Sequence, residues 1–194
     1  MDMRIAGKGN VPSGEYEKIK LSGSGQLYGK VRCVIFKASG SSKGESIECA
    51  ETFKVSGSTY FSENIKAKEL RIFGSLKVDG DVEAEYAKIV GGFHCKGLLN
   101  AENITLQADT VMSVGSIGGS NIFTKRKAVS FTMGRRAVVE TCIEGDNLNL
   151  SYVTCPRVTG RVVVIGKGCK IELVQYSEEI KIHRKAKIGK VEKI

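Results

Sequence analysis

Apolar residues return at every second position in short runs along this chain, and the runs themselves return every 17 residues. One apolar column reads Ile19, Phe36, Phe53, Leu70, Ala87 and Ile104. A second, two residues later, reads Leu21, Ala38, Val55, Ile72, Ile89 and Leu106. Two residues further on stand Gly23, Gly40, Gly57, Gly74 and Gly91. Leu27, Gly44, Phe61, Val78, Cys95 and Met112 form a third column, apolar in five of six rows, and Cys33, Ala50, Ala67, Ala84, Ala101 and Gly118 form a column of small residues. Alternation at a period of two marks strands with one buried face. A unit of 17 residues is too short for a repeating helical pair, which needs about 33, and the Leu-x-x-Leu-x-Leu signature of leucine-rich units is absent. The pattern predicts an all-β fold: a single-stranded parallel β-helix, a solenoid with coils of about 17 residues, each made of about three short strands and tight bends. Coils stacked ~4.8 Å apart turn every column into a ladder of touching side chains. The recurring glycine belongs where a corner needs a positive φ or a close approach.

The register divides the chain into three parts: a short N-terminal tail over 1–13, regular coils over 14–118, and a less regular continuation of the β-helix with a C-terminal tail over 119–194. Between Leu106 and about Glu140 the period weakens. Residues 115–120 (Gly-Ser-Ile-Gly-Gly-Ser) and 124–127 (Thr-Lys-Arg-Lys) read as a longer excursion with a basic tip. Alternation resumes at 148–150, 162–165, 171–173 and 180–182.

Composition narrows the function. With 41% hydrophobic and 26% charged residues the chain is a folded protein and not a disordered one. No apolar run reaches the ~18–20 residues of a spanning helix, and the start lacks a signal peptide's apolar stretch, so a cytoplasmic location is expected. Aromatic residues make up 7% and Trp is absent, so a core built on large rings is not expected. Six cysteines without a CxxC pair read as reduced, buried thiols. The charge is uneven: residues 1–117 hold 15 Lys+Arg against 14 Asp+Glu, residues 118–194 hold 15 against 7, and the resulting +1 and +8 make the whole chain's +9.

Catalytic chemistry is sparse. The two histidines, His94 and His183, sit in different parts of the repeat, and no phosphate-cradling loop or nucleophile elbow is present. Asp79 and Asp81 flank Gly80 and read as corner residues. No catalytic, cofactor-binding or metal-binding residue is assigned, and no cofactor is expected. One polar column stands apart: Lys20, Lys37, Lys54, Arg71 and Lys88 lie between the two apolar columns and must point outward as a cationic ladder. Three residues before each runs a mostly acidic column of Glu17, Glu51, Glu85 and Glu102, broken by Val34 and Lys68. Such a ladder is either a solvated face whose long stems cover the sheet or a linear surface for lipid headgroups, cell-wall polymer or nucleic acid. Aromatic residues are not interleaved in the column, which counts against nucleic acid. Lys125, Arg126 and Lys127 in the basic second part are further candidates for contact with an anionic partner.

The coils carrying Lys54-Val55-Ser56-Gly57, Arg71-Ile72-Phe73-Gly74 and Lys88-Ile89-Val90-Gly91, with Val82-Glu83-Ala84 leading into the next coil, resemble the bactofilins. The stretch from Arg161 to Ile171 and on through Val174-Gln175-Tyr176 is similar to the longer Firmicute-type members. The resemblance implies a right-handed β-helix and a bacterial cytoskeletal scaffold that polymerises end to end without nucleotide. It also implies association with the inner face of the cell membrane and recruitment of envelope or chromosome-segregation proteins in support of cell shape. The expected partners are therefore further copies of the chain, an anionic membrane surface and envelope proteins, with no specific nucleic acid and no small-molecule substrate. The chain departs from typical members in having only 2 Pro and little flanking sequence. Two other classes share the architecture, a hexapeptide-like β-helix acyltransferase and a carbohydrate-binding β-helix. The first calls for a repeat in steps of six and a catalytic histidine, and the second for secretion.

Overall fold

The structure, a computed structural model, describes residues 1–110, 112–126 and 136–194. In chain order its strands are β1 (Asp2–Ile5), β2 (Lys8–Val11), β3 (Gly14–Leu21), β4 (Ser24–Leu27), β5 (Lys30–Ala38), β6 (Ser41–Gly44), β7 (Ser46–Val55), β8 (Ser58–Phe61) and β9 (Ile65–Ile72). They continue as β10 (Ser75–Val78), β11 (Val82–Ala108), β12 (Met112–Arg126), β13 (Ala137–Val139), β14 (Cys142–Leu150), β15 (Val153–Ile165), β16 (Lys170–Ile182) and β17 (Lys187–Lys193). All pairings between them are parallel and form one sheet that winds through about 11 turns, a β-solenoid as the 17-residue columns predict. Among the described residues no helix is long and apolar enough to cross a membrane.

Three ladders run the length of the stack. The first passes through β1, β3, β5, β7, β9, β11, β12, β14, β15 and β16 and carries the columns Ile19/Leu21 to Ile104/Leu106 inward. The second begins at β2, β4, β6, β8 and β10 and ends on β17. The third uses the N-terminal halves of the longer strands, such as Gly14 to Tyr16 on β3 against Val31 to Cys33 on β5. Ile19, Phe36, Phe53, Val55, Leu70, Ile72 and Ile89 are fully buried, and Leu21, Ile104 and Leu106 nearly so. Because a one-residue slip would turn every side chain over, departures from 17 are absorbed at corners. The step is 16 from Cys33 to Cys49 and returns to 17 from Ile35 to Thr52.

Several expectations need correction. Residues 2–11 are not a tail: β1 and β2 pair with β3 and β4 at a step of 16, which falls outside the 17-residue columns. Residues 115–126 are not an excursion, since Ile117, Ile122 and Thr124 keep the inward alternation of β12. The extra length falls after Arg126, where the step from Ile122 to Leu148 is 26. The C-terminal residues reach Lys193 as a strand on β16. The small-residue column holds Cys49 and not the exposed Ala50, and Gly119 rather than Gly118, because the bulges shift it. The core also contains a ring cluster: Phe36 and Phe53 stack at 4.9 Å, with Phe61 edge-on at 6.3 and 5.8 Å. Inward-facing Gly44 makes the room, for a Cβ there would press on the Phe61 ring.

The glycine corner explains the period. Ser41 N donates to Gly23 O at 2.9 Å, Ser58 N to Gly40 O at 3.0 Å, Ser75 N to Gly57 O at 2.9 Å and Gly92 N to Gly74 O at 2.9 Å. A Cβ on Gly40, Gly57 or Gly74 would overlap the carbonyl of the glycine one coil below. Close approach, not a positive φ, therefore demands glycine at these corners; only Gly91 in this column has φ in the left-handed region, at 124°. Gly7 is the first glycine of the same column, and a Cβ there meets nothing within 4 Å. Gly57→Ala is expected to cost about 1–3 kcal/mol, the range for overpacking a rigid site, whereas Gly7→Ala leaves thermal stability unchanged. Paired melting curves check this, and an unchanged melting temperature in Gly57→Ala would contradict the stacking.

Candidate functional site

The outward side of the first ladder places the predicted cations in direct register. Lys20 pairs with Lys37, Lys37 with Lys54, Lys54 with Arg71 and Arg71 with Lys88. The structure adds a sixth rung, because Arg4 pairs with Lys20 at the 16-residue step. Six cations thus stand in single file at ~4.8 Å intervals, over about 24 Å. Beyond Lys88 the cationic run stops, and the column continues on the same face as Thr105, Phe123, Asn149 and Val164. Among the described residues only Arg71 of the six has an ion pair, with Glu69 on its own strand. Lys54 lies 5.7 Å over the ring of Phe73.

The third ladder handles charge in the opposite way. Its outward positions alternate in sign, Glu15, Arg32, Glu48, Lys66 and Glu83, in consecutive coils. Arg32 bridges Glu15 and Glu48 at 3.4 Å each, and Lys66 meets Glu83 at 2.9 Å. Slight burial would raise the Glu48 carboxyl, but the hydrogen bond from Arg32 and the charge of Lys30 outweigh it and hold the group below its usual range. The hydrogen bond to Glu83 raises Lys66. Two faces built on one coil geometry therefore differ: one neutralises its own charges and the other leaves a line of like charge facing solvent.

Aromatic residues flank this line, contrary to the expectation from the column alone. Phe73 stands two residues after Arg71 and Tyr86 two before Lys88, and both are exposed, as is Phe123 further along. Period-two alternation carries this signal, since side chains two apart share a face. The acidic column lies at the corner between the third and first ladders, about 10 Å away along the strands; Glu51 there meets Lys68 at 3.9 Å. Of the second basic cluster, Lys125 sits 5.5 Å over the Phe123 ring. Lys127 and the side chain of Arg126 lie outside the described residues.

No family model matches the chain, and no solved structure does. A stretch of 81 residues is 36% identical to the "Uncharacterized protein YhbF" of Bacillus subtilis (strain 168), covering 41% of this chain and 34% of that protein. The chain thus spans about a third of the curated relative it matches.

The other sequence candidates have structural roles. Tyr60 OH donates to Asp79 Oδ2 at 2.9 Å and Lys96 pairs with Asp79 at 3.1 Å, which together hold that carboxyl below its usual range. Asp81 Oδ1 accepts from Leu98 N at 2.8 Å, fixing a corner. Among the described residues no group of His, Cys, Asp or Glu is placed to hold a metal ion. The cysteines are free; five are buried and Cys142 is half-buried. Cys33 and Cys49 touch at 3.4 Å in adjacent coils, and that contact together with burial pushes the Cys49 thiol up. Burial raises Cys95 from 9.0 to about 11 and Cys155 from 9.0 to about 12. Thiolate is the reactive form, so a thiol reagent at pH 8 is expected to label Cys142 first and the other five only after denaturation. Rapid labelling of several thiols in the native protein would contradict this burial.

Proposed function

We propose that the protein is a non-enzymatic scaffold that assembles end to end, without nucleotide, into filaments in the cytoplasm. The observation that carries this reading is the unbroken parallel stack, whose ladders a coil of another copy would continue in the same register, together with the exposed apolar side chains beside β17. A strand edge with free amides and carbonyls invites another strand. Ile182, Val191 and Ile194 are 43%, 41% and 64% exposed. A second copy continuing the ladders there would cover these side chains and extend the same hydrogen-bonded stack, an open assembly without closed symmetry. The bactofilin resemblance points the same way. Sedimentation and electron microscopy without ATP or GTP are expected to find polymer in the wild type. Ile182→Lys with Val191→Lys should yield a monomer of unchanged melting temperature. Polymer that survives both substitutions, or a wild type that stays monomeric at every salt and concentration, would overturn the reading.

The same reading includes a peripheral contact with the inner face of the cell membrane through the basic second part, where Arg184, Lys185 and Lys187 are exposed. Each cation near an anionic leaflet contributes about 1 kcal/mol, screened beyond a Debye length. Co-sedimentation with anionic but not neutral vesicles is expected, weakened when Lys125, Arg126 and Lys127 are changed to Ser. Equal pelleting of the two proteins removes that cluster from the contact.

A further inference from the structure

We infer that the cationic face of the first ladder is a binding surface for single-stranded nucleic acid, held without sequence preference. This goes beyond the assembly reading and uses a side of the stack, not its ends.

The line of Arg4, Lys20, Lys37, Lys54, Arg71 and Lys88 is one side chain wide and follows a straight hydrogen-bonded ladder. Five of the six have no ion pair among the described residues, so their field is not spent within the molecule. The neighbouring third ladder proves that this coil geometry accommodates alternating pairs, as Arg32 and Lys66 form them. Like charges ~4.8 Å apart repel, and a bound polyanion relieves that repulsion while releasing its own counterions.

The shape of the stripe selects the partner. An anionic membrane is a plane, and a plane laid on this face would also meet the exposed carboxylates of Glu17, Glu85 and Glu102 along the corner. A single strand of phosphates needs only the narrow line between them and the opposite flank. The flanks supply what a bare polyphosphate does not use. Tyr86 lies on one side of the line and Phe73 on the other, both exposed, at the rungs of Lys88 and Arg71. A basic track with aromatic platforms beside it is the general means by which single strands are bound, with bases stacking on rings and cations following the backbone. Duplex DNA is less suited, because its phosphates spiral away from a straight line while its bases stay stacked and out of reach.

The test uses the full chain and a fluorescent 20-nucleotide oligo(dT), read by anisotropy at 50 and 200 mM salt. Wild type is expected to bind at the lower salt and to lose affinity about 10²-fold at the higher, the slope set by up to six neutralised phosphates. Changing Lys20, Lys37 and Lys54 to Ser should weaken binding at least tenfold and flatten the salt dependence. The same variant retains its melting temperature and its sedimentation, so failure of this proposal and failure of the assembly reading are told apart. Changing Phe73 and Tyr86 to Ala should cost about tenfold for the oligonucleotide and leave competition by inorganic polyphosphate unchanged. Three results would overturn the inference. The first is no binding at 50 mM salt, and the second is equal binding by the lysine variant. The third is equal binding by the aromatic variant, which would reduce the face to a generic polyanion site. Anionic vesicles that pellet with wild type but not with the lysine variant, while oligo(dT) is not held, would assign the face to a membrane instead.

Discussion

Everything in this molecule depends on the hydrogen bonds between one coil and the next. Parallel ladders place equal positions of successive coils directly above one another, ~4.8 Å apart. A side chain therefore meets its own column as its nearest neighbour, inside and out. Inside, that constraint is easily met, since Ile on Leu and Phe on Phe pack well. At the corners it leaves no space, and glycine is required where a carbonyl of the coil below fills the place of a Cβ. Outside, the chain must either alternate its charges or stack like on like, and it does each on a different face.

The core meets the same constraint by trading volume between columns. Phe36, Phe53 and Phe61 occupy neighbouring rungs beside Gly44, which faces inward and leaves free the volume a side chain there would fill. Polar residues that turn inward are satisfied along the stack: Ser42 and Thr59 hydrogen-bond at 2.7 Å, and Thr124 exchanges bonds with the backbone of Ser151 at 3.0 and 2.9 Å. Buried polar groups are costly when unpaired, and here the coil below or above supplies the partner. Outward asparagines behave alike, with Asn121 donating to Asn103 and Asn147 to Asn121, both at 3.0 Å.

A solenoid offers two independent kinds of surface. Along its axis it presents strand edges and the exposed apolar side chains Ile182, Val191 and Ile194. Its sides carry columns whose chemistry is set one residue type at a time, so a long linear feature arises from a single repeated choice. The cationic line is such a feature: its straightness comes from the backbone and its length from six coils keeping the same charge sign.

Read from the sequence alone, the period of 17 determined the all-β solenoid, the inward columns, the glycine corners and the outward direction of Lys20 to Lys88. These are local and repeated, so each coil gave the same answer as its neighbours. What the tertiary structure decided lies where the repeat breaks. β1 and β2 sit at a step of 16, and Arg4 joins the ladder only through that shorter step. The bulge in β7 put Cys49 rather than Ala50 into the small-residue column, because a one-residue change of length can be absorbed at either side of a corner and only the packing chooses. The lack of ion pairs among the described residues at five of the six cations, and the company of Phe73 and Tyr86, were likewise undecided in the sequence. A column records which residues share a rung, whereas ion pairs and ring contacts join residues across columns and corners, and those distances exist only once the coils are stacked.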